Sequence, residues 1–172
     1  MILISQNCLS GHLYKLLHAK YAHPFIWTVI DFNSMKNLII TWDKLDFSDF
    51  DLIKNDKLEF SIILNKNIKI QYVHYKFDSN KKVPTKNNIG DISYNKIWEY
   101  IVEKYIERCK RMLADKSKPL FCIANFNTIY TDAIYTENQL KELEKFENVK
   151  ILRNCYNDTP HSAAVKFFNK FL

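Results

Sequence analysis

The chain has 172 residues, 47% of them apolar with twelve Phe and ten Tyr, which suits the core of one domain spanning residues 1–172 and leaves little for a second. Its formal charge of +6 comes mostly from lysines scattered along the chain, so a nucleic-acid partner is not expected, whereas an anionic small ligand is compatible. No apolar run approaches the roughly 20 residues of a membrane span, the opening Met1-Ile2-Leu3-Ile4-Ser5 is too short for a signal core, and a cytoplasmic protein is expected.

Met1 to Ser5 predicts a short buried strand, followed by the polar turn Gln6-Asn7-Cys8 and a helix with Leu9, Leu13, Leu16 and Leu17 on one face. Pro24 to Ile30 is a second apolar stretch. After it, Asn33 or Ser34 is suited to cap a helix running to about Trp42. Leu58-Phe60-Ile62-Leu64 and Ile68-Ile70-Tyr72-His74 alternate on either side of Asn65-Lys66-Asn67, the pattern of an antiparallel hairpin. Asp78 to Gly90 reads as a long loop.

The longest helical pattern runs from about Ser93 to Ala114, with Ile97, Trp98, Ile101, Val102, Tyr105, Ile106, Cys109, Met112 and Leu113 as its apolar face. Pro119 to Ala124 predicts a buried strand containing Cys122. Thr136 with Gln139 forms a capping-box pattern ahead of Leu140, Leu143 and Phe146, and Val149 to Leu152 predicts the last strand. Thr159-Pro160 opens a terminal helix with Val165, Phe168 and Leu172 toward the core. Strand and helix alternate at both ends of the chain. The expected fold is therefore a three-layer α/β/α sandwich on a mainly parallel mixed sheet, with the hairpin as an antiparallel insertion or edge.

Only two glycines, Gly11 and Gly90, occur, so neither a G-x-G-x-x-G fingerprint nor a Walker loop can be built. Cys8, Cys109, Cys122 and Cys155 are widely spaced, without a C-x-x-C pair, so no zinc site, redox dithiol, metal or other cofactor is expected; Cys109 and Cys122 read as core. His18 and His23 read as helix-end and loop residues.

In open α/β sheets, ligands bind beyond the carboxyl ends of parallel strands. The residues that follow the three predicted strands are Gln6, Asn7 and Cys8; Asn125 and Asn127; and Asn154, Cys155, Asn157, Asp158 and His161. If the strands are parallel neighbours, these side chains converge. Cys8, at the head of a helix, is the candidate nucleophile, because unpaired amide N–H groups there lower a thiol pKa. Gln6 or Asn7 is the candidate oxyanion donor. His74, on the hairpin, is the first candidate base and His161 its rival; His12 is near Cys8 in sequence but is expected to point sideways. Asp78, Asn125 or Asp158 is positioned in sequence to orient the base.

The segments Ser5-Gln6-Asn7-Cys8-Leu9-Ser10-Gly11-His12-Leu13-Tyr14, Pro24-Phe25-Ile26-Trp27, Val73-His74-Tyr75-Lys76-Phe77 and Glu103-Lys104-Tyr105, with Arg108, Arg111 and Pro119-Leu120-Phe121, follow one another in a familiar order. Over residues 1 to 125 the chain resembles a papain-like cysteine peptidase family of unknown function, and is similar to neighbouring exopolysaccharide-biosynthesis proteins of bacterial capsule loci. The resemblance implies Cys8 as nucleophile and His74 as base. The alternating strand order fits a Rossmann-like sandwich better than a papain fold. A thiol hydrolase or acyl/amide transferase acting on a small or glycan-linked substrate is one expectation. The alternative is a noncatalytic or glycosyltransferase-associated module that holds a sugar phosphate or nucleotide sugar at the first helix N-terminus.

Overall fold

The computed structural model of the protein describes residues 1–21, 23–54, 60–72, 76–78, 83–85 and 94–172, with residues 54, 76–78, 83–85 and 94–98 described by backbone alone. Its parallel sheet is built from three predicted strands. β1 (Ile2–Ser5) pairs in parallel with β8 (Pro119–Ala124), and β8 in parallel with β9 (Val149–Leu152), in the order β1-β8-β9. Between β1 and β8 lie α1 (Leu9–Leu16), β2 (Thr28–Val29), α2 (Phe32–Thr41), β3 (Phe50–Lys54), β4 (Phe60–Leu64), β5 (Ile68–Tyr72), β6 (Lys76–Asp78), β7 (Val83–Thr85) and α3 (Tyr94–Ala114). After β8 come α4 (Glu137–Leu143) and, after β9, α5 (Pro160–Phe171).

Side-chain alternation gives the parallel sheet two buried faces. Ile2, Ile4, Phe121, Ile123, Val149 and Ile151 enter one apolar cluster, which they share with α2, α3, α4 and the inner face of the hairpin. Leu3, Cys122, Ala124 and Leu152 enter a second cluster with α1 and α5. Ala163 and Ala164 are fully buried in that cluster, where their small side chains let α5 come close to α1. The apolar face of α5 is thus rotated from the expected one. Ala163, Ala164 and Phe167 are buried, whereas Val165 and Leu172 are exposed, because the two alanines define the contact with α1.

Over Phe60–Leu64 and Ile68–Tyr72 the hairpin forms as predicted, with Phe60, Ile62, Leu64, Ile68, Ile70 and Tyr72 buried on one face, while Leu58 and His74 lie outside the described residues. Asn65 and Lys66 both take positive φ (47° and 66°), the turning sense that matches the right-handed twist of paired strands. Among the described residues the hairpin does not extend the parallel sheet. It sits in a separate four-stranded antiparallel sheet ordered β2-β5-β4-β3, whose outer strands were hidden in the apolar stretch 24–30 and in the acidic Asp49-Phe50-Asp51-Leu52 run. Part of the expected 78–90 loop pairs as the β6-β7 ribbon.

Asp31, not Asn33 or Ser34, caps α2, its carboxylate accepting from the Ser34 N–H at 3.0 Å. The capping box at Thr136 and Gln139 and the Thr159 cap ahead of Pro160 match expectation. On α3, Ile101, Tyr105, Cys109 and Met112 are buried, but Ile106 and Leu113 remain exposed, so its buried face is narrower than the sequence pattern. No helix among the described residues is long and apolar enough to cross a membrane.

Candidate functional site

Because β1, β8 and β9 are parallel neighbours, the three predicted clusters of polar residues do gather at one edge of the sheet. The side chains expected to serve chemistry there are instead largely engaged in holding the edge together. Gln6 Nε2 and Asn7 Nδ2 both donate to the Ala124 carbonyl, at 2.9 and 3.0 Å, and Gln6 Oε1 accepts from the Ala124 N–H at 3.4 Å. Both residues are buried, so these amides tie β1 to β8 and are not oriented as oxyanion donors.

Asn125 is likewise structural. Its Nδ2 donates to the Tyr135 carbonyl at 2.6 Å and its Oδ1 accepts from the Tyr135 N–H at 3.0 Å, clamping the segment that returns from β8. Tyr135 in turn donates its hydroxyl to the Ile30 carbonyl at 2.7 Å. Cys155, fully enclosed, donates to the Asn125 carbonyl at 3.3 Å. Asp158 accepts from Lys166 Nζ at 2.8 Å and from the Ser162 hydroxyl at 3.2 Å, which engages it at the start of α5.

Cys8 is the N-cap residue of α1, as the sequence predicts, but its environment differs from expectation. It is 7% exposed and forms a small buried cluster with Val29 and Ala133, against which Trp27 and Tyr130 pack. Burial pushes its thiol up to about 12, only partly offset by a hydrogen bond from the residue's own backbone. The expected lowering by the helix start is outweighed for two reasons. The thiolate would lose its hydration, and two of the first-turn amides are already satisfied: Leu9 N–H by Asn7 Oδ1 at 3.1 Å and Ser10 N–H by Ser5 Oγ at 2.9 Å. The same two bonds occupy the donors that a phosphate would need in the alternative reading.

His12 lies one turn beyond Cys8, its N–H donating to the Cys8 carbonyl at 3.3 Å, so the two side chains leave the same side of the helix. Its ring meets the edge of Trp27 at 5.1 Å and that of His161 at 5.9 Å between centroids. The close packing of α5 on α1 makes this second approach, and His161 stays exposed at the first turn of α5. Lys15 Nζ stands 4.9 Å from the Trp27 ring. Trp27 itself holds φ at 60°, an uncommon conformation for a bulky residue.

Sequence reasoning places Trp27 in the Pro24-Phe25-Ile26-Trp27 segment but gives it no role in the site. The available signal was Gly11, a glycine inside a helical pattern, which marks close approach by another group. His74 lies outside the described residues, and Asp78 falls at the end of β6, where only the backbone is described. His23, read as a loop residue, is in a loop but wholly buried. Its Nε2 bonds the Leu3 carbonyl at 2.7 Å and its Nδ1 accepts from the Phe25 N–H at 3.1 Å, as a neutral ring. Among the described residues, no group of three or more His, Cys, Asp or Glu side chains gathers as a metal site. Comparison of the chain with protein-family models and with curated proteins gives no match.

Proposed function

We propose that the protein is a thiol-dependent hydrolase or acyl/amide transferase that uses Cys8 as nucleophile and His74 as general base, with Asp78 orienting the imidazole. By the family resemblance, its substrate is a small or glycan-linked molecule of bacterial surface-polysaccharide assembly, and its compartment the cytoplasm. The observation that carries the reading is that Cys8 packs with Val29 while the adjacent Thr28 pairs with Tyr72. In the sequence, His74 follows Tyr72 by two residues. His161 is the rival base, supported by its approach to His12.

A thiol held near 12 is neutral at rest, so the reaction begins with general-base catalysis and not from a standing thiolate. As Sγ adds to the acyl carbon, the imidazole takes the thiol proton and the carbonyl electron pair moves to oxygen. Collapse of the adduct expels the leaving group, which takes that proton, and leaves a thioester on Cys8. Water or an acceptor amine, deprotonated by the same imidazole, then attacks the thioester and returns the thiol. In this scheme Gln6 and Asn7 act by bracing the turn that carries Cys8.

The test is p-nitrophenyl acetate as a general acyl donor. The expected result is a nitrophenolate burst, with an acetyl adduct on Cys8 by mass spectrometry, lost in Cys8→Ala and Cys8→Ser and strongly slowed in His74→Gln. A rate equal to wild type in Cys8→Ala overturns the nucleophile. Slowing in His161→Gln with none in His74→Gln transfers the base to His161.

A further inference from the structure

We propose a second site, independent of Cys8: a cationic cavity between α3 and the segment after α1 that binds the diphosphate group of a nucleotide-sized ligand. The cavity holds about 390 Å³ and is lined by Lys20, Tyr21, Tyr100, Lys104, Arg108 and Arg111, with Glu107 the carboxylate among its described lining residues. Positions 104, 108 and 111 recur at helical spacing and so fall on one face of α3. Among the described lining residues, four cationic groups against one carboxylate leave an excess of positive charge that an anion of two or three charges would offset.

The cations divide into two roles. Arg111 is held in place, donating to the Tyr21 carbonyl at 3.0 Å and pairing with Glu107 at 2.9 Å, while Lys104 pairs with the same carboxylate at 3.0 Å. The bond to Tyr21 ties α3 to the segment after α1, and the two pairs with Glu107 run along α3 itself. Arg108 and Lys20 form no ion pair within 4.0 Å among the described residues, although the Lys104 hydrogen bond and, to a lesser degree, the charge of Arg108 help hold the Glu107 carboxyl below its ordinary range. Arg108 is half-buried on the cavity wall, and its planar fork matches two phosphate oxygens at once, which a lysine does not.

Size and shape narrow the ligand. The volume is at the lower end of small-molecule sites and exceeds what one inorganic phosphate needs. Tyr21 and Tyr100 supply aromatic surface for a sugar or base attached to the phosphates. Tyr21 also meets Trp27 edge-on at 6.2 Å, which joins this cavity to the Cys8 region through one pair of rings.

The experiment is calorimetric titration of the full chain with inorganic pyrophosphate and, separately, uridine diphosphate. Both are expected to bind at about 1 mM or tighter, more weakly as salt rises. Arg108→Gln is expected to lose about tenfold in affinity, as for one charge-assisted contact. Lys20→Gln, at an exposed position, repeats the test should Arg108→Gln fail to fold. Cys8→Ala is expected to bind pyrophosphate as wild type does, which separates this site from the thiol reading. Absence of binding to wild type overturns the proposal, as does an equal loss in Lys145→Gln, an exposed lysine beside α4, since that would reduce binding to bulk charge.

Discussion

The indole of Trp27 occupies the space that a side chain at Gly11 would fill: a Cβ there would lie 2.6 to 2.7 Å from three ring atoms. Gly11 is therefore the residue that lets Trp27 reach α1, and His12, Lys15 and Tyr21 surround the ring once it is there.

Gly11→Ala tests this relationship directly. In an open helix the change would stabilise by about 1 kcal/mol. Here the ring must move against its positive φ and its three neighbours, so a net loss of about 1–3 kcal/mol is expected, as for an overpacked core. A denaturant titration with Trp fluorescence measures both the loss and the displaced indole; a stabilised variant would show that the ring yields freely.

His23 makes stability depend on acid. Burial, above all, lowers its pKa to about 3, against an ordinary value near 6.5. Between those two values the unfolded chain binds a proton that the folded chain refuses. Its contribution is therefore whole above about pH 6.5 and is lost as pH falls toward 3, by at most about 1.4 kcal/mol per unit. His23→Gln should be less stable at pH 7 and should flatten the slope of melting temperature between pH 6 and 4. An unchanged slope would assign the acid sensitivity to other groups.

Cys8 should alkylate slowly. With its thiol pushed up to about 12, reaction with iodoacetamide near pH 7.5 is expected to be slower than that of a free thiol, and to accelerate with pH beyond the range where free thiols level off. Peptide mapping after timed labelling reads this at Cys8 alone. Labelling faster than a free thiol would mean that the thiolate is already formed at rest.

Asn125 should tolerate no replacement that loses its two-sided amide. Asn125→Leu leaves the Tyr135 N–H and carbonyl without their partner in a buried place, for a loss of about 2–4 kcal/mol. Asn125→Asp keeps the acceptor but sets a carboxylate against the Tyr135 carbonyl, so it should be no better. Thermal melts of both variants decide this, and a near-neutral Asn125→Leu would refute the clamp.

The parallel strands, the hairpin and the caps at Thr136 and Thr159 were legible because each rests on local pattern: apolar runs, period-two alternation, and side chains that satisfy the nearest amides. β2 and β3 were not, since two residues at Thr28–Val29 and the charged Asp51 and Lys54 become strand only by pairing with β5 and β4. Convergence of the Cys8, Asn125 and His161 turns followed from strand order. The work those side chains do was not legible, because an Asn or Gln that braces a sheet and one that binds a ligand look alike until partners such as Ala124 and Tyr135 are in place.

The tie between Gln6 and Ala124 spans 118 positions of chain. Among the described residues β1 pairs with β8 alone, so the opening strand finds its partner across a long stretch of chain, whereas the contacts of the hairpin are local. Loop-closure entropy is therefore expected to make that pairing slower to form than the hairpin, a delay that falls on the turn carrying Cys8.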